Sequence, residues 1–71
     1  MKKFAALPKL NTNPDFSFLS YIKDKNSAGY LLHYYKDPLK APDKEDWFLD
    51  LDELLEFTFN EYNIEKESWK Y

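Results

Sequence analysis

Fourteen of this chain's 71 side chains are aromatic, while glycine occurs once and cysteine not at all. Disorder requires low hydrophobicity, so a chain with this many rings must collapse and hide most of them. It has to do so without a disulfide and without the cysteines of the usual zinc sites. At 71 residues one small domain is the limit, and such a domain buries only ~60% of its unfolded surface. Large rings are one way a mini-protein gains enough core. Valine is absent and isoleucine stands only at Ile22 and Ile64, so any strand is built from aromatics and leucine instead of β-branched residues. No apolar run approaches the ~18 residues of a membrane span.

Hydrophobic spacing places the elements. Phe16, Phe18 and Ile22 follow a two-residue period, and Gly29–Tyr35 is a second aromatic run, so residues 15–36 read as an antiparallel hairpin turning at Asp24–Ser27. Tyr30, Leu32 and Tyr34 share one face of the second strand; Leu31, His33 and Tyr35 share the other. Residues 37–46, with Pro38 and Pro42, read as a charged loop, and Trp47–Leu49 as the site of a short third strand. The helix is the best-specified element and spans 50–63. Asp50 with Glu53 forms a capping box, and Leu49 with Leu54 a hydrophobic staple. Leu51, Leu54, Leu55, Thr58 and Tyr62 make its apolar stripe, with Phe59 at the edge and Phe57 on the border of the solvated face. Asn63 suits a left-handed stop that lets Ile64 fold back. The tail, 64–71, is expected to anchor through Trp69. The segment 1–14 opens with a basic, apolar start that Pro8 ends too early for an export signal, and Asn11–Asp15 is a turn cluster. With no cysteine, a cytoplasmic location is expected. The fold class is therefore α+β: one domain over 1–71, a hairpin or three-stranded antiparallel sheet packed on one C-terminal helix.

Catalytic chemistry finds little support. The one histidine, His33, lies mid-strand, and no nucleophile elbow or glycine-rich phosphate loop is present. A structural or surface role for His33 outweighs a ligand or pH-sensing one. The acidic segment Asp43, Glu45, Asp46, Asp50, Asp52 and Glu53 lacks the glycine of a calcium loop, and helix capping accounts for its last three members. No metal, cofactor or catalytic residue is expected.

Charge and surplus rings point to binding. All ten basic residues are lysines, which lack the planar fork of arginine. Residues 1–40 hold seven lysines against three aspartates, a net of +4, whereas residues 41–71 hold three lysines against ten carboxylates, a net of −7. This asymmetry either draws the two halves together or steers a charged partner. One helix stripe and one hairpin face fill a single interior, which leaves the hairpin's second face and Phe57 without a partner. The expected function is a non-enzymatic acidic protein of inhibitor or immunity type. It would bind another protein, basic in character, through an aromatic patch with an acidic rim: Tyr21, His33, Tyr35, Phe57, Glu53 and Glu56. The alternative is a structural homodimer with the aromatic sheet face as its subunit interface. Single-stranded nucleic acid on that face ranks below both, because a net charge of −3 opposes phosphate contacts.

Overall fold

A computed structural model describes residues 2–7 and 16–71. Strands β1 (Lys3–Ala6), β2 (Phe18–Lys23), β3 (Tyr30–Tyr35) and β4 (Lys44–Phe48) precede helix α1 (Leu51–Tyr62) and a single 3-10 turn, Lys66–Ser68. The strands form one antiparallel meander in the order β1-β2-β3-β4. The α+β class is as the sequence implies, with four strands in place of two or three. The Asn11–Asp15 turn cluster lies outside the described residues.

Both extra lengths of strand depend on partners remote in sequence. β1 lies in the segment read as a lead-in and pairs Phe4 with Ser20 and Ala5 with Leu19. Its other edge meets the chain's end: the Phe4 N–H donates to the Lys70 carbonyl at 2.7 Å, and the Lys70 N–H returns a bond to Phe4 at 2.9 Å. β4 begins at Lys44, inside the stretch read as loop. Its Lys44–Glu45–Asp46 start has poor strand propensity. Cross-strand contacts hold it: His33 to Glu45 at 2.8 Å, and the Tyr34 hydroxyl donating to Asp46 Oδ2 at 2.6 Å. The same charges suit an edge strand, where they oppose further strand pairing.

Register fixes the two faces. Ala5, Leu19, Tyr21, Tyr30, Leu32, Tyr34 and Phe48 point to the helix side, and the buried core joins this face to Leu54, Tyr62, Ile64 and Trp69. Tyr34 packs edge-on against Tyr62 at 6.0 Å, and Tyr21 against Trp69 at 4.8 Å. Burial, reinforced by the hydrogen bond and charge of Asp46, pushes the Tyr34 phenol well above its ordinary pKa.

The helix keeps its expected bounds but not every expected contact. Asp50 has the extended backbone of an N-cap, yet its side chain makes no capping bond. The capping box is therefore not closed, and the staple residue Leu49 stays 53% exposed. Leu54, Thr58 and Tyr62 are buried as the stripe requires. The Thr58 hydroxyl reaches the Leu54 and Leu55 carbonyls at 3.1 Å each, which satisfies a polar group inside the core. At the end, Asn63 adopts φ 59°, ψ 34°, and the Ile64 N–H returns to the Thr58 carbonyl at 3.3 Å. Ile64 is thereby folded into the core, as the sequence indicates.

Candidate functional site

Alternation along each strand leaves a second sheet face directed away from α1. Three rows cross it. Phe18 stands beside Tyr35; Phe4, Ser20, His33 and Glu45 form the middle row; Ile22, Leu31 and Trp47 form the third. Among the described residues no element packs over this face. It is partly self-covered: Phe4 meets Phe18 at 5.8 Å and Phe18 meets Tyr35 at 6.4 Å. The Tyr35 hydroxyl shares a 2.8 Å hydrogen bond with Ser20, so its ring lies back over the sheet and keeps only 4% exposure. Trp47 is the exposed anchor, at 48%.

The hairpin turn positions that tryptophan. The Asp24 carboxylate accepts from the Asn26 N–H at 3.0 Å and the Ser27 hydroxyl at 2.7 Å, an Asx-type closure. These bonds, Ser27 foremost, hold the Asp24 carboxyl below its usual range. Ser27 Oγ in turn accepts from the Trp47 indole N–H at 2.9 Å. The indole lies across Gly29, where any Cβ would collide with its ring atoms. The chain's single glycine is thus required by a close approach, since its φ is not positive.

Polar groups gather at the β4 edge of the face. His33 Nε2 pairs with Glu45, while Nδ1 is buried with no hydrogen-bond partner among the described residues. Lys2, His33, Pro42, Asp43, Lys44 and Glu45 line one shallow depression there, and the Lys2 ammonium lies 5.8 Å from the Phe4 ring. No three His, Asp or Glu side chains among the described residues converge as a metal site would require. No helix among them is long and apolar enough to cross a membrane.

The six residues expected at a partner surface occupy three places. His33 and Tyr35 belong to the open face, Tyr35 as a buried floor. Tyr21, 7% exposed, points to the other side of the sheet beneath Trp69. Phe57 packs on Phe48 at 5.2 Å and Tyr62 at 6.1 Å, so it serves the interior. The helix is rotated from the expected stripe, taking Phe57 inward and leaving Phe59 49% exposed. Glu53 and Glu56 are exposed on α1, which covers the sheet's opposite face. These six side chains therefore do not form one rimmed patch. Trp47 carries the open face instead; its alternation with Glu45 was the available signal, masked by the charged residues before it.

Among the described residues the charge asymmetry is not consumed internally. The ion pairs among the described residues are His33–Glu45, between β3 and β4, and Lys44–Asp46, within β4. None joins a lysine of residues 1–40 to a helix carboxylate. Comparison of the chain with protein-family models, with curated proteins and with solved structures finds no match.

Proposed function

We propose that this is a non-enzymatic binding protein of inhibitor or immunity type, acting in the cytoplasm, that seats another protein on its open sheet face. One observation carries the reading: a single helix covers one side of a four-stranded sheet, and the other side presents Phe4, Phe18, Ile22, Leu31 and the half-exposed Trp47. Tryptophan and tyrosine concentrate binding energy at interfaces. Ser27 and Gly29 hold Trp47 in one place, which lowers the entropy a partner must overcome. Asp43 and Glu45 supply acids at the patch edge. Glu53 and Glu56 are exposed on α1, across the sheet from this face, and do not rim it. Absence of cysteine supports the cytoplasmic assignment.

The test is capture from the native lysate by the wild type and by a Leu31→Ser/Trp47→Ala variant, with light scattering on both. A protein retained by the wild type and lost from a folded variant supports the reading. A stable wild-type dimer that the variant dissolves assigns the face to self-association and overturns it.

A further inference from the structure

We propose that the groove between α1 and the Lys66–Ser68 turn is a second docking surface, fitted to a basic segment of a partner protein in which lysine or arginine neighbours an apolar side chain. The floor is Leu55 and Phe59. Phe59 stays 49% exposed in the same helix turn whose Thr58 and Tyr62 are buried, so the ring faces the groove and not the core. Asp52 and Glu56 rise on the helix side, Glu65 and Glu67 on the turn side, and Lys66 is the one cation among them.

Helix formation explains Asp52 but not Glu56, Glu65 or Glu67. The first turn of α1 is served by Asp52 and Glu53, where carboxylates complement the dipole. Glu56, Glu65 and Glu67 join no ion pair among the described residues. The last turn of α1 holds no basic side chain, although that end of a helix attracts cations. An apolar floor between carboxylates matches a lysine or arginine side chain in two parts. The aliphatic stem lies on the ring, its head reaches the acids, and cation–π attraction adds to both. The same charges repel a phosphate backbone, which selects protein over nucleic acid. This surface belongs to the helix layer, whereas Trp47 is on the sheet face directed away from that layer, so it does not depend on the open face.

The probe is a short fluorescein-labelled peptide of alternating lysine and leucine, titrated by anisotropy at physiological salt. A lysine–serine peptide of equal charge serves as comparison. The wild type is expected to bind the lysine–leucine peptide saturably. Glu56→Gln/Glu65→Gln/Glu67→Gln should weaken binding about tenfold, because each exposed pair contributes roughly a 1.4- to 5-fold factor. Phe59→Ala should weaken the lysine–leucine peptide but not the lysine–serine one. A control, Glu53→Gln/Glu61→Gln, removes charge from the same helix outside the groove and should change affinity less than about twofold. These side chains are exposed, so circular dichroism should remain that of the wild type. Equal losses in the control and the groove variant would reduce the effect to general charge and overturn the proposal. So would an unsaturable wild type, or a Phe59→Ala protein that binds both peptides as the wild type does.

Discussion

The Trp47 indole lies against Gly29, filling the space that a Cβ at position 29 would occupy. This contact joins β4 to the β2–β3 turn and, with the Ser27 hydrogen bond at 2.9 Å, sets the orientation of the most exposed ring on the open face.

Gly29→Ala should therefore destabilise the fold by overpacking, at about 1–3 kcal/mol. The methyl group has no φ strain to overcome, because Gly29 has no positive φ. The loss appears in urea denaturation, and a shift in tryptophan fluorescence reports that the indole has moved. An unchanged midpoint and spectrum would show that the contact does not constrain Trp47.

Ser27→Ala removes the hydroxyl shared by Asp24, Trp47 and Gly29. Asp24 titrates below its ordinary value in the folded chain, chiefly through that hydroxyl. A depressed carboxyl stabilises the fold above its unfolded pKa of ~3.9 and loses that contribution as pH falls through the lower folded value. The stability gap between wild type and variant should be widest near neutrality and narrow below about pH 4. What remains in acid belongs to the Trp47 and Gly29 bonds, and chemical denaturation across pH separates that part from the Asp24 contribution.

Tyr34→Phe should cost about 1–2 kcal/mol, because it removes the hydrogen bond to Asp46, an acceptor that can be rehydrated, together with the phenol's interaction with the Tyr62 hydroxyl. That acceptor, Asp46, keeps 38% of its side chain exposed. The phenol's raised pKa means that the neutral form is the one the fold accepts. Its contribution is complete below the unfolded value of ~10 and is lost as pH rises toward the higher folded value. Above about pH 10 the wild type should lose stability more steeply than Tyr34→Phe; equal slopes would remove Tyr34 from the alkaline limb. Tyr21 also titrates above its ordinary value, mainly through burial, and is common to both proteins.

Asp50→Ala should cost less than about 0.5 kcal/mol, below the ~1 kcal/mol usual for an N-cap, because the Asp50 side chain caps nothing. Asn63→Ala should cost more, roughly 1 kcal/mol, since a Cβ without a polar tip resists the left-handed conformation at φ 59°. Asn63→Gly should be near neutral by the same reasoning. Thermal unfolding of the three variants orders them, and Asp50→Ala as the most damaging would reverse the assignment.

Local chemistry settled much of this fold in advance. The α1 bounds, the left-handed Asn63 and the fold-back of Ile64 depend on neighbours within one helix turn, and each stands where the residues put it. The β2–β3 hairpin is equally local, closed by Asp24 and Ser27 over a few positions. β1 and the start of β4 were not legible, because Lys3–Ala6 needs Ser20 and Lys70 beside it, and Lys44–Asp46 needs His33 and Tyr34. Position along the chain also could not choose between the two faces of β3, both apolar, since a one-residue shift exchanges them. Packing made that choice. Once Tyr34 meets Tyr62 and Tyr21 meets Trp69, the even-numbered β3 residues face the helix, and Leu31 and His33 are turned outward. The same packing rotated α1 so that Phe57 lies on Phe48 and Phe59 faces the groove. Sequence alone determined the helix with its left-handed stop and the β2–β3 hairpin, through bonds spanning a few residues; β1, the start of β4 and the side chains left for a partner were decided only when distant segments met, because strand pairing and burial are properties of the whole assembly.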